Sequence, residues 1–493
     1  MILSGVACFG EGAQGSAFYP RVSSWLSPSF LADNETYNIS DPKTPIQGIS
    51  VPFQNWHAIK SSAIELFSPG NPRRALFQYS HRDSSFSYAA EANIFTGFDQ
   101  RWEDDGDYGL LYLGLRVNSV FNERIRARAV FWNGKFSGDL DAAHGSPLID
   151  GGNVLSPSGT FLDNVNGELS YRGEHFSAGL GRGRFQIGNS ISGSVVFSDR
   201  VNEYDYFTLE EQVGQFRFSL LHTTLQADSL DTVSGKYPSK YAAIHQITWQ
   251  PKDHLRLFYG ETVIYGNRID LSYLLPANYW RVQKYNINDR DNLALYGGID
   301  AEAAKNLSLY ATLLIDELTV RKLFTNWWGN KYAFQAGTSL RMPAFKVCSA
   351  DAPRFGLEFT AVRPWTYTHY ANVSMYSHDA RPLGYPKGSN LLDLTAELNV
   401  PLPGNIRWDS RFSYTWQGSE GNDWRLNYHE FFPPEITGTA EAHWLEGDLT
   451  KTAKWENTLR IGIMAHHSLL LGHSSEFGGN GKHQFFGGWQ ASF

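Results

Sequence analysis

The chain has 493 residues, 42% of them hydrophobic and 15% aromatic, with 42 Lys and Arg against 50 Asp and Glu for a formal net charge of -8. That balance, with no sustained Lys/Arg run, excludes a nucleic-acid partner, whose phosphates need a basic face. The two cysteines, Cys8 and Cys348, exclude a disulfide framework or a zinc cluster, and nothing in the chain calls for a cofactor. No stretch reaches the roughly 18 apolar residues of a membrane helix. A membrane barrel stays open at a mean hydropathy of -0.35, because its strands alternate lipid-facing and lumen-facing residues. The counts of 32 Phe, 25 Tyr, 15 Trp and 46 Gly beside only 4 Met favour strands and tight turns.

Residues 1–17, MILSGVACFGEGAQGSA, read as a truncated export leader: an apolar stretch from Ile2 to Phe9, then Gly15 and Ala17 before a cleavage point at Phe18, without a basic start. The alternative is a lipid-attached Cys8. Residues 18–72 are broken by seven prolines and hold one helical stripe, Trp56, Ile59, Ala63, Ile64 and Phe67, which predicts a small periplasmic helical annex. From Arg73 the pattern changes to period two. Runs at Ser85 to Phe98, Tyr108 to Phe121, Ile125 to Phe136, Gln215 to Leu225, Tyr241 to Trp249, Leu255 to Tyr265, Asn306 to Leu318, Tyr332 to Met342, Phe355 to Trp365 and Ile406 to Trp416 read as strands. Many have about 10 residues, the length a tilted strand needs to cross a bilayer. Weaker runs bring the count to roughly 16 to 20, with eighteen as the central value, and residues 73–493 form the barrel. Short turns such as Phe121 to Arg124 contrast with long polar segments such as Gly138 to Asp163 and Gly266 to Asp291, as in a barrel with one periplasmic and one external end. The chain closes on QFFGGWQASF, where Phe485, Gly487, Trp489, Ala491 and Phe493 share a face. This ending resembles the terminal signal by which barrel-insertion machinery recognises outer-membrane proteins, with Phe493 as its last residue.

Four stretches together resemble the Wzi family of outer-membrane capsule-assembly proteins. They are Gly179 to Asp199, with Gly181-Arg182 and Ser194 to Ser198; Tyr241 to Pro276, with His245, Glu261, Tyr265-Gly266 and Pro276; Asp291 to Leu318; and Glu358 to Asn390, with Arg363-Pro364, Tyr367, His369, Leu383-Gly384 and Gly388. In the first, Phe185 to Asn189 replaces the family's Trp-Gly-Pro-Gly turn. The resemblance implies an outer-membrane barrel of about 18 strands with a periplasmic helical bundle. It also implies a lectin that tethers capsular polysaccharide at the surface of a Gram-negative cell, with polysaccharide secretion proteins as further partners. The family is not known for catalysis.

A sugar polymer is held by aromatic faces on its rings and by Arg, Asn, Asp and Gln on its hydroxyls and carboxylates. The long loops supply candidates: Trp280 and Arg281; Arg321, Trp327 and Trp328; Tyr376 and Arg381; Trp424 and Arg425. The competing reading for each is an aromatic girdle or plain loop packing. His245, Glu261, Asp316, Arg363 and His369 lie in strand-like runs and are expected to point into the lumen as a polar network. The expected protein is monomeric, sits among outer-membrane lipid and binds surface polysaccharide. The alternatives are a porin or substrate-specific channel, and a barrel enzyme acting on lipid or glycan, although no ordered Ser/His/acid signature accompanies Tyr367-Thr368-His369.

Overall fold

A computed structural model describes the isolated pair 37–38 and residues 77–82 and 86–492, except 105, 123, 140–152, 155–160, 174, 232–233, 276–277, 287–290, 324, 344–351, 465–466 and 479–480. The leader, nearly all of the expected annex and Phe493 lie outside the described residues. Eighteen antiparallel strands close one barrel. They are β1 Ser87–Glu103, β2 Gly106–Phe121, β3 Ile125–Gly138, β4 Phe161–Arg172, β5 Phe176–Gly183, β6 Tyr204–Val213, β7 Phe216–Leu225, β8 Lys240–Lys252 and β9 Leu255–Gly266, followed by β10 Asn292–Ala304, β11 Leu307–Glu317, β12 Lys331–Arg341, β13 Arg354–Val362, β14 Leu391–Leu402, β15 Ile406–Gln417, β16 Thr450–Met464, β17 His467–Phe477 and β18 His483–Ser492. Consecutive strands pair throughout, and β18 returns to β1 with Phe485 opposite Trp102 and Ser492 opposite Phe95. A short lead strand, Phe77–Arg82, continues the line of β18 along the first half of β1. Closure leaves the wall no unpaired edge.

Period-two patterning makes this wall two-sided. On β2, Leu111, Leu113, Leu115 and Val117 are exposed on the outside, while Tyr108, Leu110, Tyr112 and Asn118 are buried inside. Val165 and Leu169 on β4 and Leu180 on β5 continue the exposed apolar band. Burying such a row is worth roughly 25 cal/mol per Å² of apolar surface, and hydrocarbon is the medium that supplies the burial.

The two ends differ as the turn lengths predict. Connections such as 214–215, 253–254, 305–306 and 403–405 lie at one end with both ends of the barrel chain, and 184–203, 267–291, 363–390 and 418–449 lie at the other. The end with long connections is the external one. Strand limits match the sequence reading to within three residues except on β1, which runs on past the expected Phe98 to Glu103. Strand β13 stops at Val362, short of the expected Trp365. Arg363 and Trp365 therefore begin the following loop.

Candidate functional site

The segment 184–203 leaves β5 and turns into the lumen. Phe185, Ile187, Val195, Val196 and Phe197 are fully buried, packed on Leu221, Ile244, Phe258, Tyr296 and Leu314 of the wall. Glu358 on β13 anchors the segment. Its carboxylate accepts from the backbone N–H groups of Ile191 (2.8 Å) and Ser192 (3.0 Å), from the Ser192 hydroxyl and from the Tyr310 hydroxyl (2.6 Å). The Asn189 amide donates to Asp300 (2.6 Å), and the Gln335 amide donates to the Gly193 carbonyl (2.9 Å). These bonds satisfy backbone groups that would otherwise be stranded inside the barrel.

A second segment, 363–390 between β13 and β14, folds in over the first. The Tyr367 N–H donates to Asp316 (2.8 Å), and the Tyr367 and Tyr376 hydroxyls donate to the carbonyls of Val195 and Val196 (each 2.7 Å). Tyr385 and Lys387 both donate to Asp393 on β14 (each 2.6 Å). Where the segments cross, Gly193 has φ +115°, and an added Cβ would meet Pro386 at 2.4 Å, so a side chain is excluded. Trp365 and Tyr367 take φ of +67° and +75°, a region bulky residues rarely occupy, and the Trp365 N–H is held by the Gly421 carbonyl at 2.8 Å. The hairpin Ser377–His378 with Arg381–Pro382 is pinned from below. Lys240 donates to the Ser377 hydroxyl (2.9 Å), which donates to Asp228 (2.6 Å), and His378 Nδ1 accepts from the Gln226 N–H (2.9 Å). Burial holds the His378 imidazole down to about 4.

Above this packed interior the mouth carries aromatic rings and cations. Trp328 stacks on Phe432 (4.4 Å, 18°), and Trp365 packs edge-on against Phe432 (4.9 Å). Tyr370 stacks on the exposed His429 (5.0 Å, 9°). Trp424, half-buried, lies over Gly388 on top of the inserted segment, with the Arg425 guanidinium 5.5 Å from its ring. Lys322 covers the Trp327 ring at 4.4 Å.

The structure sorts the sequence-derived candidates into four places. Trp424, Arg425, Trp327 and Arg321 reach the mouth surface. Trp328 and Tyr376 are buried, Trp328 donating its indole N–H to the Thr437 carbonyl (2.9 Å), so neither ring face is open to a sugar. Arg381 is half-buried on the hairpin. Trp280 is fully buried and Arg281 half-buried, far from the mouth rings on the outer wall.

Of the expected lumen network, Asp316 faces inward and accepts from the Tyr367 N–H. Arg363 instead clamps loops at the rim, donating to the Asn330 carbonyl (3.3 Å) and the Ala442 carbonyl (2.9 Å), and His369 lies against Tyr370 at the mouth (4.3 Å). His245 and Glu261 do not face the lumen. On β8 and β9 it is Gln246 and Thr262 that meet the interior, through Tyr296 (3.2 Å) and Tyr376 (3.2 Å), so the neighbouring His245 and Glu261 project outward by strand alternation. They form a pair of 3.0 Å beneath Trp280.

No family model and no curated protein matches the sequence. Solved structures do. The outer-membrane protein Wzi of Escherichia coli, described as a carbohydrate-binding β-barrel involved in group 1 capsule assembly, aligns over 81% of this chain and 84% of its own, at 12% identity and a TM-score of 0.55. Two Pseudomonas aeruginosa proteins align over 82% of this chain: OccK8 (98% of its own chain, 7% identity, TM-score 0.49) and OprD (95%, 11%, 0.45). The Wzi likeness establishes a shared fold, a closed antiparallel β-barrel of 18 strands.

Sequence reading missed the residues that fill the lumen, above all Glu358, Asn189, Gln335 and the run 184–203. The signal available was GNSISGS at Gly188 to Ser194, small and polar and without the period-two alternation of the wall. It also missed the mouth residues Tyr370, His429 and Phe431, which come together only across two loops.

Proposed function

We propose that this barrel binds a polysaccharide at its external mouth and retains it at the cell surface. The observation that carries the reading is the packed interior: residues 184–203 and 363–390 occupy the lumen with fully buried apolar side chains, and the aromatic and cationic groups gather above them. A polymer resting there meets the half-buried Trp424 under Arg425, the Tyr370–His429 stack, the exposed Phe431 and the Trp327–Lys322 pair. Sugar rings stack on such faces, and the cations serve hydroxyls or carboxylates. The carbohydrate binding described for Escherichia coli Wzi agrees with this assignment.

A second reading, a channel, draws on the inward arginines near the periplasmic end, among them Arg126 and Arg128 on β3, Arg217 on β7 and Arg256 on β9. Several sit beside carboxylates, Arg256 at 3.3 Å from Asp300 and Arg411 at 2.6 Å from Glu397, the arrangement of a structural ion-pair network. The deciding experiment is planar-bilayer conductance of the purified protein, run beside retention of the native organism's surface polysaccharide. The binder gives a closed pore and retained polymer. A steady ohmic current without retention overturns it in favour of the channel.

A further inference from the structure

The outward pair His245 and Glu261 carries a consequence independent of what the mouth binds. One step down the same face of β8 and β9, two residues from each, lie Ile247 and Tyr259, which are 42% and 44% exposed and belong to the lipid-facing band. A His–carboxylate pair therefore sits next to hydrocarbon, where an uncovered charge is strongly disfavoured. It is covered by the segment between β9 and β10. Its described residues, 267–275 and 278–286, fold down the outside of the wall and include the short helix Trp280–Asn286. Trp280 stacks on His245 at 4.0 Å and 15°, and its backbone N–H donates to Glu261 (2.7 Å). Tyr273, fully buried, packs on Tyr265 (4.9 Å) and Trp280 (5.6 Å). The covered wall is apolar: Leu220, Ala243, Val263 and Leu293.

The opposite side of the segment is apolar as well. Ile269, Leu271, Leu275, Tyr279 and Val282 are all exposed, Leu271 at 72%. Among its described charged residues, Arg268 is turned back to Asp291 (2.6 Å) near the rim, Asp270 accepts from the Ser272 N–H (3.1 Å), and Arg281 is half-buried. We propose that this segment is an outer flap whose exposed leucine, isoleucine and valine side chains rest among acyl chains of the outer leaflet, latched to the wall through Glu261. The occupant is lipid because the exposed face runs continuously into the lipid-facing residues Ile247 and Tyr259. The flap thereby lets a His–carboxylate contact persist on the outer wall of a membrane barrel.

The test uses the full chain with Cys8 and Cys348 replaced by Ser and a single Leu275→Cys labelled with an environment-sensitive fluorophore, reconstituted in phosphatidylcholine vesicles. Lipid bearing nitroxide-labelled acyl chains should quench most of the emission, aqueous iodide should quench little, and an Arg425→Cys label at the mouth should show the reverse. Quenching of the Leu275→Cys label by iodide alone overturns the proposal. So does protection from both quenchers that grows with protein-to-lipid ratio, which would make a second copy of the chain the occupant. Glu261→Ala tests the latch: trypsin should then cut at Arg281 in intact vesicles, where the wild type resists. If this variant fails to assemble, the fluorescence measurement on the otherwise unaltered wall decides alone.

Discussion

Two long connections leave the same rim and go opposite ways. Residues 363–390 fold into the lumen, and residues 267–275 and 278–286 fold down the outside. Both bury tyrosines against the wall, yet their free sides differ. The inward segment directs its Tyr367, Tyr376 and Tyr385 hydroxyls to protein acceptors, because backbone carbonyls and carboxylates surround it. The outward segment presents Leu271, Leu275 and Val282, with Arg268 turned back to Asp291 at the rim. A loop's own chemistry thus reports which solvent it meets, while length and position in the chain do not.

The contrast can be broken most severely at Glu358. Glu358→Ala strands the donors of Ile191, Ser192 and Tyr310 inside the barrel, at about 1–3 kcal/mol for each buried group left unpaired. The expected result is a much lower unfolding temperature by heat-modifiable electrophoresis, together with a new bilayer conductance as 184–203 loosens. An unchanged closed pore would show that packing alone retains the insert.

A pH titration follows in size. Burial lowers the His378 pKa from 6.5 to about 4, so the folded state binds fewer protons than the unfolded chain between those values. Stability is full above pH 6.5 and falls as the pH drops toward 4, by up to about 3 kcal/mol. His378→Gln should flatten that part of the stability–pH curve, and an unaltered slope would remove this histidine as its source.

Trp280→Ala should destabilise by less than the roughly 3–5 kcal/mol typical of a Trp removed from a protein core, since acyl chains can close over the gap. A full core-sized loss in the same unfolding assay would place the flap in water and erase the contrast between the segments. The smallest effect on stability belongs to the mouth. Trp424→Ala with Arg425→Ala should cost only about 1 kcal/mol, because Trp424 is half-buried on the inserted segment and Arg425 is exposed, while polysaccharide retention falls sharply. Retention equal to wild type would remove this pair from the binding surface.

The barrel was legible in the sequence because its signal is local. Leu111, Leu113, Leu115 and Val117 announce an outward face through spacing alone, and the alternation of short and long connections orders the two ends. The candidate site was legible in part. Trp327, Trp424 and Arg425 were chosen as loop aromatics and cations, and they reach the mouth surface. Trp328 sits beside Trp327 in the sequence and is buried, because its ring finds Phe432 from another loop.

What the sequence by itself determined was a closed sheet of about eighteen strands with one polar-looped end, since period-two alternation and turn length are properties of short windows. Which face of β8 and β9 looks inward was decided only by tertiary structure. His245 and Glu261 alternate with Gln246 and Thr262, all four are polar, and periodicity separates two faces without saying which of them the plug fills. Likewise 184–203 resembles a strand in glycine and valine content, yet it becomes a lumen insert because Glu358, Asp300 and Gln335, contributed by distant strands, supply the partners its backbone and side chains need.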